Sequence, residues 1–70
     1  MKIFSIRLKE ERQHNNYTQK QMAELLSLPT TTYQNYEALS KNNREPNLEM
    51  VVKIAKILNI SADYLLGLED

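Results

Sequence analysis

Residues 19–38, QKQMAELLSLPTTTYQNYEA, carry apolar side chains at a spacing that describes two short helices meeting at a tight corner. A corner of that kind holds one helix out from the body that supports it. Thr18 followed by Gln21 is a capping box. The hydroxyl takes a free amide at the third helical position and the glutamine reaches back to the cap, so the first helix of the pair begins at residue 18 or 19. Met22, Leu25 and Leu26 supply its apolar face, and Ala23 is small enough to let another helix cross closely. Ser27-Leu28 forms the corner. Pro29 suits the first turn of the second helix, where its missing N–H costs nothing and its φ is already helical. Tyr33 and Tyr36 then share one inward face, which leaves Pro29, Thr30, Thr31, Gln34 and Asn35 pointing away from it.

The rest of the chain reads as support for that pair. Phe4, Leu8 and Arg12 recur at four-residue steps with Ile3 and Arg7 beside them, predicting a helix from Ile3 to His14 that Asn15-Asn16 ends. From Leu39 to Pro46 the chain is polar and rich in helix breakers, an exposed loop. Asn47 caps a fourth helix with Leu48, Val51, Ile54, Ala55 and Leu58 at helical spacing. Ser61 caps a short fifth helix, with Asp63 in its first turn, Tyr64, Leu65 and Leu66 inward, and Gly67 closing it. Seventy residues with one glycine and two prolines make one small all-α domain, 1–70, without internal repeat. Cysteine is absent, so helix packing alone must hold the core, in keeping with a reducing cytosol. No apolar run approaches the roughly 20 residues that span a bilayer, and no signal-peptide pattern opens the chain. The expected location is cytoplasmic, without a membrane partner. The triplets at Asn16 and Asn59 match the glycosylation pattern, but Thr18 and Ser61 matter there as caps.

Charge is more informative by position than in total. The net charge is zero, yet residues 1–44 hold seven bases against four acids and residues 45–70 hold two against five. A dipolar domain of that kind can present a basic face while staying neutral overall, and a merely solvated surface would give similar counts. Catalysis has little to work with: one histidine, no cysteine, no phosphate-binding glycine loop and no nucleophile motif. Glu10 and His14 lie one turn apart, but two ligands do not make a metal site. The expectation is a protein that is not an enzyme and has no metal and no cofactor. Tyr17, Tyr33, Tyr36 and Tyr64 read as packing residues rather than a base-stacking platform.

Tyr17-Thr18-Gln19, Met22-Ala23, Leu25-Leu26, Leu28, Thr32-Tyr33, Tyr36-Glu37, Arg44-Glu45-Pro46, Leu48 and Ile60-Ser61 through Leu65-Leu66-Gly67 fall in an order that resembles the Cro/repressor-type (Xre-type) helix-turn-helix family of phage and bacterial transcriptional regulators. The resemblance extends over residues 6–67 and implies a compact five-helix, lambda-repressor-like domain whose second and third helices form the helix-turn-helix. It implies double-stranded DNA as partner, with the third helix in the major groove. Pro29, Thr30, Thr31, Gln34 and Asn35 correspond to base-reading positions. Gln19, Lys20, Lys41, Asn42, Asn43 and Arg44 are the candidates for phosphate contact. Arg12 and Glu37 correspond to a buried ion pair tying the first helix to the end of the third. No arginine stands on the third helix to fork onto guanine, so half-sites leaning towards A·T are expected under Thr31 and Asn35. One such module reads few base pairs, which implies a homodimer on a pseudo-palindrome, with Leu68 a candidate for the contact. Three positions depart from the family's pattern: Ser27 replaces the corner glycine, Glu11 stands at a usually apolar position, and the loop after Glu37 is longer and lacks a glycine. The rival expectation is a protein-interaction module on the same scaffold, an antitoxin or antirepressor-like partner, which the neutral charge favours.

Overall fold

Three polar side chains set the starts of three helices. The Thr18 hydroxyl accepts from Gln21 N and the Gln21 side chain accepts from Thr18 N, the Asn47 side chain accepts from Met50 N, and the Ser61 hydroxyl accepts from Tyr64 N. The computed structural model describes residues 2–70, with helices α1 (Lys2–His14), α2 (Gln19–Leu25), α3 (Thr30–Glu37), α4 (Leu48–Leu58) and α5 (Ala62–Leu65), and no strand among the described residues. The all-α, five-helix reading stands. Helix α1 lies against both α3 and α5, α2 against α3, and α4 against α5. No helix among the described residues is long and apolar enough to cross a membrane.

One core serves all five elements. Phe4 and Leu8 of α1 meet Met22, Ala23 and Leu26, then Tyr33 and Tyr36 of α3, Val51, Ile54, Ala55 and Leu58 of α4, and Leu65 of α5. Each large apolar side chain buried there contributes about 1.5–3 kcal/mol against its exposed state. Tyr33 and Tyr36 meet edge to face, with centroids 6.3 Å apart and planes at 71°. Both rings belong to α3 and are buried with Met22, Ala23 and Leu26 in the core, so α3 has one sealed side and one open side.

Several sequence expectations need correction. Pro29 lies just outside α3, as its cap residue with φ −59° and ψ 142°, rather than in the first turn. Leu48 is 73% exposed, not core. It is the first residue of α4, and because helical side chains lean towards the N-terminus it projects past the end of the helix. Leu25 is 46% exposed, flanking a shallow groove with Tyr17, Gln21 and Glu24, because α3 is laid on the side of Met22, Ala23 and Leu26. Ile3 is also exposed, and Tyr64 and Leu66 are only half-buried.

The corner between α2 and α3 is made by Ser27 at φ 57°, with Leu28 N donating to Ala23 O at 2.8 Å. A left-handed conformation costs an L-residue roughly 1–2 kcal/mol, and glycine adopts it freely at about 0.5–1 kcal/mol of extra chain entropy. Ser27→Gly is therefore expected to stabilise the domain by about 0.5–1 kcal/mol, read as a higher urea midpoint with unchanged slope. A lower midpoint would show that the hydroxyl, not the backbone, decides the turn.

Candidate nucleic-acid interface

Helix α3 divides its residues sharply. Tyr33, Tyr36 and Glu37 are buried, while Pro29, Thr31 and Gln34 are exposed and Thr30 and Asn35 half-buried along the opposite side. Glu37 is the acid of this helix, so the outward side presents hydroxyls, amides and methyl groups without negative charge. What holds that surface in place is a polar cluster beneath it.

Arg12 Nε donates to Glu37 Oε2 at 2.7 Å and Arg12 Nη2 to Glu37 Oε1 at 3.2 Å, a two-pronged ion pair between the end of α1 and the end of α3. The third guanidinium nitrogen donates to Tyr17 O at 2.8 Å, tying in the connection to α2. Tyr33 Oη donates to Glu37 Oε2 at 2.5 Å, and Gln19 Nε2 donates to Glu37 Oε1 at 3.2 Å. The carboxylate's roughly four acceptor positions are thus all used. The bond to Glu37 raises the pKa of Arg12 against the cost of burial. Burial, with the Glu37 carboxylate adding to it, raises the Tyr33 phenol well above its ordinary value.

That shift has a testable sign. In the unfolded chain the phenol ionises near pH 10.0, whereas in the folded protein it stays neutral, so above that pH the folded state binds more protons. Stability is then fully present below about pH 10 and falls above it, by up to about 1.4 kcal/mol per pH unit for this one proton. Tyr33→Phe is expected to flatten the alkaline limb of a stability profile by about one proton's worth of slope. An unchanged limb would show that Tyr33 ionises equally in both states.

Lys20, Lys41, Asn42 and Arg44 are exposed, and Gln19 is half-buried at the start of α2. Asn43 behaves differently from its sequence expectation. Its Nδ2 donates to Ser5 Oγ at 3.0 Å and to Asn35 O at 3.2 Å, so the side chain is turned inward. Ser5, itself buried, donates to Tyr36 O at 2.7 Å, and Arg44 N donates to Asn35 O at 3.0 Å. Of the carbonyls at the end of α3, which a helix leaves without internal partners, that of Asn35 is satisfied by this loop and that of Tyr36 by Ser5 of α1.

Two arrangements were not anticipated. The first is the Ser5–Asn43 clasp. The second is Arg7, whose Nη1 donates to Tyr64 O at 2.6 Å and Glu69 O at 2.7 Å while its guanidinium lies 4.2 Å from the Tyr64 ring centroid. Ser61 also donates to Glu69, so the segment after α5 is held against α1. His14 Nδ1 faces Glu11 Oε2 at 3.7 Å rather than Glu10. Among the described residues no three His, Cys, Asp or Glu side chains are grouped to hold a metal.

Comparison with known proteins agrees with the helix-turn-helix fold. The helix-turn-helix family profile matches residues 8–65. The HTH-type transcriptional regulator ImmR of Bacillus subtilis is 41% identical over 64 residues, 91% of this chain and 48% of that protein. The uncharacterized HTH-type transcriptional regulator YobD of Bacillus subtilis is 38% identical over 97% of this chain and 58% of its own length. The cryptic phage CTXphi transcriptional repressor RstR of Vibrio cholerae is 41% identical over 87% of this chain and 52% of its own. The chain spans about half the length of the curated relatives it matches. No solved structure matches it.

Proposed function

The chain belongs to the helix-turn-helix family, and from that membership we propose that it is a sequence-specific double-stranded-DNA-binding transcriptional regulator, a repressor, that reads the major groove with α3. The observation that carries this reading is the uncharged outward side of a helix whose inward side is sealed into the core. Rigid elements place side-chain tips more precisely than loops do. Pro29, Thr30, Thr31, Gln34 and Asn35 are the base-reading set: amides pair with adenine, and threonine methyls rest on thymine. Lys20, Lys41 and Arg44, with Gln19 and Asn42, reach phosphates. Asn43 leaves that set, because its amide is spent on Ser5 and the Asn35 carbonyl. Two copies on a pseudo-palindrome, half-sites one helical turn apart, supply the specificity one copy lacks. Leu68, 73% exposed beyond α5, remains the candidate contact between copies. Occupying an operator excludes other proteins from it, which is repression in its simplest form, carried out in the cytoplasm.

Selecting duplexes from a random pool tests this directly. The expected product is an A·T-leaning pseudo-palindrome, bound with log affinity falling against log salt by about 0.9 per neutralised phosphate. Three cations per copy predict a slope of about −2.7, and about −5.4 for a dimer. A chain that retains no duplex at low salt would be the protein-interaction module instead.

A further inference from the structure

Within residues 40–44 the side chains divide by direction. Ser40, Lys41, Asn42 and Arg44 are exposed, and Asn43 alone is half-buried. Asn43 N donates to Ser40 O at 3.0 Å and Asn42 N to Ser40 Oγ at 3.2 Å, which makes Lys41 and Asn42 the central residues of a closed turn. Asn43 ends that turn, and its Nδ2 meets Ser5 Oγ at 3.0 Å, Asn35 O at 3.2 Å and Tyr36 O at 3.5 Å. Arg44 N donates to the same Asn35 carbonyl at 3.0 Å. Chemistry fixes the direction of the amide. The two carbonyls only accept, and Ser5 has given its one hydroxyl hydrogen to Tyr36 O at 2.7 Å, so Ser5 Oγ accepts as well. Three acceptors therefore converge on one NH2 group, which neither a carboxylate nor an apolar side chain of that shape could supply.

We propose that Asn43 is a positioning residue which, gripped by Ser5 of α1 and the end of α3, holds Lys41, Asn42 and Arg44 beside α3 as one preformed set of phosphate contacts. This rests on the DNA-binding reading above. The loop is longer than the family's pattern, and a long loop ordered only on binding would subtract the entropy of its ordering from the affinity. The clasp orders it when the domain folds. Because Asn43 Nδ2 and Arg44 N share the Asn35 carbonyl, the cation at 44 is tied to the backbone of a residue in the base-reading set. The Asn43 NH2 group is spent on interior acceptors and acts on DNA only through its neighbours. What it adds is affinity for phosphates, which is blind to sequence.

The experiment is a double-mutant cycle on affinity with the full chain, Asn43→Ala, Arg44→Ala and the two combined, for a selected duplex and a scrambled one, at a temperature where circular dichroism shows each variant folded. Ser5→Ala breaks the clasp from the side of α1 and leaves the loop sequence intact, so it takes the place of Asn43→Ala should that variant fail to fold. Arg44→Ala is expected to weaken both duplexes roughly tenfold, the worth of one charge-assisted contact. Asn43→Ala, which removes no charge, should weaken both by a similar factor and keep the preference between them. With the clasp broken, Arg44→Ala should then cost only about two- to threefold, because a contact already weakened cannot be lost twice. An Arg44→Ala loss of equal size in both backgrounds would make Asn43 a residue of stability alone and overturn the proposal. So would an Asn43→Ala chain that binds as tightly as the unmodified one, an Arg44→Ala chain that loses nothing, or a broken clasp that abolishes the preference between duplexes. Should the unmodified chain bind no duplex, the parent reading fails and the proposal with it, an outcome distinct from the others.

Discussion

Glu37→Ala is expected to remove about 3–5 kcal/mol of stability, enough to leave a large fraction of molecules unfolded at 25 °C. The reason is what the substitution strands. Arg12, 8% exposed, would keep its charge with only the Tyr17 carbonyl as a partner, and the Tyr33 hydroxyl and Gln19 amide would each lose an acceptor. Breaking one member of a buried ion pair costs about 3–5 kcal/mol because the other charge stays in a poor solvent. A domain of this length has a total stability of only several kcal/mol, at about 0.05–0.15 kcal/mol per residue. Arg12→Met should be comparably damaging. Combining Arg12→Met with Glu37→Leu should cost less than the two singles summed, since neither charge then remains. Urea unfolding followed by helical circular dichroism reads all three. A loss below about 1 kcal/mol in the single variants would place the pair in effectively solvated surroundings, where such bridges are worth little.

The helices were legible because their signals are local. Thr18, Asn47 and Ser61 cap within three residues of themselves, and the four-residue steps of Phe4, Leu8 and Arg12 need only one helix to be read. The Arg12–Glu37 pair spans 25 positions and came from family resemblance rather than spacing. Helix margins are less legible. Leu48 and Leu25 have the right residue type and period, but the first position of a helix and the flank of a stripe face outward once neighbouring helices are laid down. The other contacts between distant segments left no trace. Ser5 meets Asn43 38 positions away, and Arg7 reaches Tyr64 and Glu69 at separations of 57 and 62. Asn43 looked like any loop amide. Its inward turn is decided by the unpaired carbonyls at the end of α3, which exist only after the helix has a defined end. The bond from Gln34 Nε2 to Gln19 Oε1 is of the same kind, since it depends on how the corner closes.

The second large effect is on recognition. Thr31 is exposed and Asn35 half-buried on the open side of α3. Asn35 uses its backbone carbonyl, not its side chain, to hold the loop, so truncating both side chains leaves that support in place. Thr31→Ala with Asn35→Ala should cost roughly 1–3 kcal/mol per lost base contact, a combined loss on the order of a hundredfold in affinity for the selected site. Affinity for unrelated duplex should barely change, since phosphate contacts carry no sequence information. Helix content should also be preserved, because neither side chain belongs to the core.

The most direct measurement is therefore the affinity of the unmodified chain and of this double variant for two duplexes, the selected site and a scrambled one, at a single salt concentration with folding verified in the same samples. The double variant is expected to lose its preference for the selected site while binding the scrambled duplex as before. Equal discrimination by both proteins would contradict it, because the outward side of α3 would then not be what reads the sequence.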